Sequence, residues 1–158
     1  QRQSSSFACD LKAWVKIMDA YEAGGHAYHA TMPTDALRRF RDIMKETRDY
    51  GFAKLKDAQQ ELGDRVRAAF AARGVTSVAA DGFAAPGVAV FFTDDPAVKS
   101  GAKFAAQGVQ IAAGVPLQVG EGAGYSSFRI GLFGLDKLYD VDRAVASIET
   151  VLDEALAA

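Results

Sequence analysis

The sequence predicts an α+β chain of two layers: a small, mainly antiparallel sheet with helices covering one face. Three observations lead there. Apolar residues recur at helical steps through the first half of the chain. After Gly74 the pattern changes to short apolar runs of strand length, separated by glycine and proline. The last segment, Leu138 to Leu156, returns to helical spacing through Val141, Val145, Ile148, Leu152 and Leu156. Long helices followed by a few strands with helices between them pack as a sheet under a helical layer.

In chain order, Gln1 to Ser6 is polar and expected to be loose. Asp10 is placed to cap a helix running to Glu22, with Leu11, Trp14, Ile17, Met18 and Tyr21 on one side, and Gly24-Gly25 ends it. An irregular stretch, His26 to Pro33, precedes a helical region that begins at Pro33 or Thr34. Leu37, Phe40, Met44 and Thr47 recur at helical steps, as do Phe52, Leu55, Gln59, Leu62, Val66 and Phe70. Gly51 between the two sets marks a kink or a break. Arg73-Gly74 closes the region. Val75–Ala79, Val88–Thr93, Val109–Ala112 and Ser127–Leu132 read as strands, with a helix from Asp95 or Pro96 to Gln107.

The length of 158 residues fits one domain, and 49% apolar residues supply a core. A net charge of −2 gives no electrostatic case for nucleic acid or an anionic membrane. No apolar run reaches membrane-spanning length. The single cysteine, Cys9, has no partner for an internal disulfide, which fits a reducing, cytoplasmic location. His26 and His29 stand three apart without a third histidine and with Cys9 remote, so no metal site is expected. Gly120-Glu-Gly-Ala-Gly124 precedes a strand, where a dinucleotide loop must follow one and open a helix. It reads as a hairpin-like connection, a lid beside a site.

Two places carry candidate chemistry. In Phe128-Arg129-Ile130-Gly131-Leu132 the apolar side chains alternate with Arg129 and Gly131, so a strand puts Arg129 on the face away from the core. Gly131 beside it leaves room for something to approach. A guanidinium fork suits a carboxylate; a solvated strand arginine fits the same local pattern. Tyr28-His29-Ala30-Thr31 offers a phenol and a hydroxyl leading into a helix start, suited to a phosphate dianion. A capping threonine and a half-buried tyrosine fit equally.

The stretches Tyr28-His-Ala-Thr-Met-Pro-Thr-Asp-Ala-Leu37 and Phe128-Arg-Ile-Gly-Leu-Phe-Gly134 resemble two landmarks of class V pyridoxal-phosphate aminotransferases of the alanine/serine–glyoxylate (serine–pyruvate) type. The resemblance runs from about Asp10 to Val151 and is carried mainly by those two stretches. It implies the C-terminal domain of a fold-type I enzyme, with 34–158 as the small α+β domain. Residues 1–33 would then pack on a large domain or a partner subunit. It implies that Arg129 binds the substrate α-carboxylate. It also implies that Tyr28 and Thr31 reach across a homodimer interface to the phosphate of the partner's pyridoxal 5'-phosphate.

The substrates implied are small amino acids and keto acids, alanine or serine donating to glyoxylate or pyruvate. None of Lys12, Lys16, Lys45, Lys54, Lys56, Lys99, Lys103 and Lys137 has the flanking sequence of the family's cofactor lysine. The chain is therefore expected to be the C-terminal part of such an enzyme, without a catalytic residue of its own and inactive alone. Other readings are another class V enzyme (an aminoethylphosphonate–pyruvate transaminase, a desulfurase or a lyase), or a standalone dimerisation module without catalysis.

Overall fold

The computed structural model describes Ser4, Ser6, Phe7 and residues 9–157. Of the polar leader, residues 1–3 and 5 lie outside the described residues. The chain divides inside a helix into two compact units, 1–45 and 46–158.

The first unit holds helix α1 (Leu11–Glu22) and most of α2 (Thr34–Tyr50). The Asp10 carboxylate caps α1 by accepting from the backbone N–H groups of Lys12 and Ala13. At its other end Gly24 takes φ 78°. There the N–H of Gly25 donates to the carbonyl of Ala20 and that of Gly24 to Tyr21, the Schellman closure that the Gly-Gly pair predicts. Neither α1 nor α2 contains a buried residue. Leu11, Val15, Met18 and Tyr21 recur along α1, and Leu37, Phe40, Ile43 and Met44 along α2; all are exposed.

The second unit contains the core. Gly51, at φ 103°, breaks the long helical region cleanly, and α3 (Phe52–Ala71) follows. Next come β1 (Val88–Phe92), α4 (Pro96–Lys99), α5 (Ala102–Ala106), β2 (Ala112–Ala113), β3 (Ser127–Gly131), α6 (Leu135–Leu138) and α7 (Val141–Leu156). The sheet is antiparallel with order β1-β3-β2; Val90 pairs with Arg129 and Phe91 with Phe128 on one side of β3, and Ala112 with Arg129 on the other. Leu62, Val66 and Phe70 of α3, Val98 of α4, Phe104 of α5, and Val145 and Leu152 of α7 are buried against Ala89, Phe91, Phe128 and Ile130 of the sheet. Helices on one face of a small antiparallel sheet make the α+β, two-layer class that the sequence predicts.

Four expected elements differ. The Val75–Ala79 strand reduces to one bridge, Ser77 to Phe91, with backbone bonds from Val78 N–H to the Val90 carbonyl and from Phe92 N–H to the Thr76 carbonyl. The expected 95–107 helix splits into α4 and α5, because Gly101 sits at φ 82°. The Val109–Ala112 strand shifts to Ala112–Ala113. The final helix begins anew at Val141, where Asp140 accepts from the Arg143 N–H, and α6 is a separate turn before it.

A polar stripe on α3 fixes the loop before β1. Gln59, Gly63 and Arg67 stand four apart, on one helix face. The Gln59 amide donates to the Pro86 carbonyl at 3.0 Å, and the Arg67 Nη2 donates to the carbonyls of Ala85 at 2.6 Å and Val88 at 3.0 Å. Burial lowers the Arg67 pKa from the ordinary arginine value, with Asp64 opposing. Gly63 lets the loop lie this close: a Cβ there would stand 2.8 Å from the Pro86 carbonyl oxygen. Gly63→Ala gains about 1 kcal/mol of helix propensity, but the collision costs about 1–3 kcal/mol. The melting temperature is therefore expected to fall. A rise in a thermal melt would contradict this packing.

Tyr139 donates its hydroxyl to Glu46, while the Tyr50 ring stands edge-on to it with centroids 4.8 Å apart. The hydrogen bond to Glu46, then desolvation, push the Tyr139 phenol up to about 12. Because the folded value is raised, the stabilisation is intact below the ordinary tyrosine value of about 10 and is lost as pH rises through about 12. In a spectrophotometric titration one of the five tyrosines should ionise late, and Glu46→Gln should bring it back. All five ionising together near the ordinary value would contradict the pairing.

Candidate functional site

Arg129 sits in the middle of β3. The burial alternation there follows the expected pattern: Phe128 and Ile130 are buried, Arg129 is half-buried and Gly131 exposed. Phe128 and Ile130 enter the core, so Arg129 leaves the sheet on the face opposite the helices. Its cross-strand neighbours are Val90 of β1 and Ala112 of β2, which flank it with small apolar side chains. The Arg129 Nε donates to the Ala113 carbonyl at 3.0 Å. Among the described residues no carboxylate forms an ion pair with Arg129. The terminal guanidinium nitrogens therefore carry donors without an anionic partner.

The space expected above Gly131 is partly filled. A Cβ on Gly131 would meet the Phe133 ring at 3.7 Å, an ordinary contact, and the same ring comes to 3.2 Å of a Cβ on Gly87. Phe133 itself is exposed. The glycines thus seat the Phe133 ring over Gly87 and Gly131, a feature that the strand pattern did not reveal.

In the first unit, Tyr28 and Thr31 lie on the segment between α1 and α2. Their hydroxyl oxygens stand 3.0 Å apart. Tyr28 is 78% exposed, so it is not the half-buried residue of the plain packing alternative. One hydroxyl proton is used between the two, which leaves the other O–H free to donate. His29 fixes the segment: its Nε2 is hydrogen-bonded to the Phe7 carbonyl at 3.0 Å, its ring lies 4.4 Å from that of Phe7, and Trp14 meets it edge-on at 5.1 Å. This places His29 in a packing role, while His26 is exposed.

No family model matches the chain. Alanine–glyoxylate aminotransferase 1 of Saccharomyces cerevisiae is 32% identical over 129 residues, covering 79% of this chain and 32% of that protein. The crystal structure of an alanine–glyoxylate aminotransferase from Nostoc sp. matches with a TM-score of 0.73 at 16% identity, over 96% of this chain and 39% of that one. The chain belongs to the class V aminotransferases, in their C-terminal portion. It spans 32% and 39% of the length of these two proteins.

Within this aminotransferase portion, the lysines are all at the surface or ion-paired. Lys12, Lys16, Lys45, Lys54, Lys56 and Lys99 are exposed. Lys103 pairs with Asp95 at 2.8 Å, and Lys137 pairs with Asp136 at 3.3 Å. The Gly120–Gly124 stretch is a loop between β2 and β3, in which the Glu121 carboxylate accepts from the backbone N–H groups of Gln118 and Val119. Those bonds hold the Glu121 carboxyl below its ordinary range. No described helix is long and apolar enough to cross a membrane.

Proposed function

We propose that this chain is the carboxylate-binding part of an enzyme that moves an amino group from a small amino acid, alanine or serine, to a keto acid such as glyoxylate or pyruvate. The observation that carries this reading is the placement of Arg129, tied at Nε to the Ala113 carbonyl and, among the described residues, without an ion pair. A substrate carboxylate supplies the two acceptors that such a fork lacks. The Saccharomyces cerevisiae relative, named as an alanine–glyoxylate aminotransferase, supports the choice of substrates.

The Tyr28 and Thr31 hydroxyls, adjacent and exposed, suit a phosphate, and in this reading they hold that of pyridoxal 5'-phosphate bound by a partner subunit in a homodimer. The cofactor, when bound, supplies the electron sink for the charge left as the substrate α-proton departs. Arg129 holds the substrate carboxylate and so orients the α-carbon. Residues 1–33 then pack on a large domain or a partner subunit, which accounts for the uncovered apolar stripes of α1. The lone, exposed Cys9 suits a cytoplasmic location.

Two outcomes test this. In the full-length enzyme Arg129→Lys should lower kcat/KM for alanine by at least about tenfold, since a charge-assisted hydrogen bond is worth about 1.5–3 kcal/mol. An amine donor without a carboxylate should be nearly unaffected. Equal losses for both donors would make Arg129 structural. The chain on its own should transfer no amino group and should self-associate through its exposed helices. Sedimentation as a strict monomer at high concentration, without binding of an apolar dye, would contradict the buried-interface reading.

A further inference from the structure

We propose that the Ala113–Gly114 step is a positioning device that selects which edge of the Arg129 guanidinium faces the substrate. The inference rests on the reading of Arg129 as a carboxylate clamp and deepens it. A guanidinium offers a carboxylate either the edge made by Nε and one terminal nitrogen or the edge made by the two terminal nitrogens. The Ala113 carbonyl occupies Nε at 3.0 Å. Only the end-on edge, with both terminal nitrogens, remains for a bidentate ligand.

The carbonyl needs an anchor, because β2 is two residues long and pairs with β3 only at Ala112–Arg129 and Ala113–Phe128. Gly114 supplies it by direct contact with the β3 backbone. A Cβ on Gly114 would lie 1.9 Å from the Ser127 carbonyl oxygen and 2.3 Å from its Oγ. Ser127 is 1% exposed, so it has no space into which to retreat. Any side chain at position 114 must push the segment off β3, and the Ala113 carbonyl moves with it. Freed of that acceptor, Arg129 gains rotamers, and its terminal fork is no longer fixed for the substrate.

The test uses two readouts. In the isolated chain, nitrogen-resolved NMR of the Arg129 Nε–H should show slow exchange with solvent, unlike the exposed Arg38. In the full-length enzyme, Gly114→Ala should raise KM for alanine by about tenfold, which corresponds to about 1.4 kcal/mol. The KM for a carboxylate-free amine should be unchanged. Gly63→Ala serves as the control, because its Cβ, on α3, collides with Pro86 of the loop before β1 and not with the 113–114 segment. It should lower the melting temperature without changing either KM.

Rapid exchange of the Arg129 Nε–H in the unaltered chain overturns the proposal, even if Gly114→Ala fails to fold. So does a folded Gly114→Ala enzyme with an unchanged KM for alanine, or one in which both donors suffer alike. The clamp reading fails separately, if Arg129→Ala leaves the KM for alanine unaltered while the Nε–H stays protected, and the positioning proposal falls with it.

Discussion

Four phenylalanine rings hold the second unit together. Phe70 of α3 stacks on Phe91 of β1 with centroids 4.1 Å apart, and Phe128 of β3 lies 5.8 Å from Phe70, 5.5 Å from Phe91 and 5.8 Å from Phe104 of α5. All four are fully buried. Removing such a ring costs about 3–5 kcal/mol, a large share of the stability of a domain of this size. Phe128 is the point at which this packing meets function. Its burial fixes the face of β3, and the strand alternation then sends Arg129 out on the opposite face. A register slip of one residue would bury the arginine and expose the phenylalanine, so the core that stabilises the sheet also aims the candidate clamp.

The two faces of β3 are supported differently. On the core side, α3 grips both the strands and the loop before β1, through Phe70, Val66 and Leu62 and through the Gln59–Gly63–Arg67 stripe. On the other side the support is backbone: the Ala113 carbonyl on Arg129 and Gly114 against Ser127. Among the described residues the first unit has no comparable interior. Its helices carry apolar stripes with no buried residue, and its order at 26–33 depends on His29 lodged against Phe7 and Trp14. Such stripes are what a helix shows when its partner is another domain or another chain.

Much of this was legible in the residues. Asp10, Gly24 and Gly51 act at the ends of helices as their chemistry predicts, since a carboxylate caps free N–H groups and glycine accepts positive φ. The alternation in 127–132 placed Arg129 correctly because one buried face leaves only one register. The misjudged segments have a common cause. Val75–Ala79 and Val109–Ala112 are apolar enough for strands, but pairing depends on tertiary partners that local pattern does not encode. Gly101 lies inside the 95–107 segment whose pattern predicts one helix, whereas its positive φ ends one. Gln59 falls in step with the apolar face of α3 by spacing; its role as a donor to Pro86 emerges only once the loop is beside it. The Ala113 carbonyl is a backbone atom and leaves no trace in side-chain identity.

The most direct measurement is optical. The product of the complete reading frame, purified with pyridoxal 5'-phosphate, should show the visible band of the bound cofactor, lose it on addition of alanine and regain it on addition of glyoxylate. With Arg129→Ala the band should persist, and its loss should require at least about tenfold more alanine. Absence of the band from the complete product, or an unchanged alanine requirement in the variant, would contradict the account of this chain as the carboxylate-binding portion of an aminotransferase.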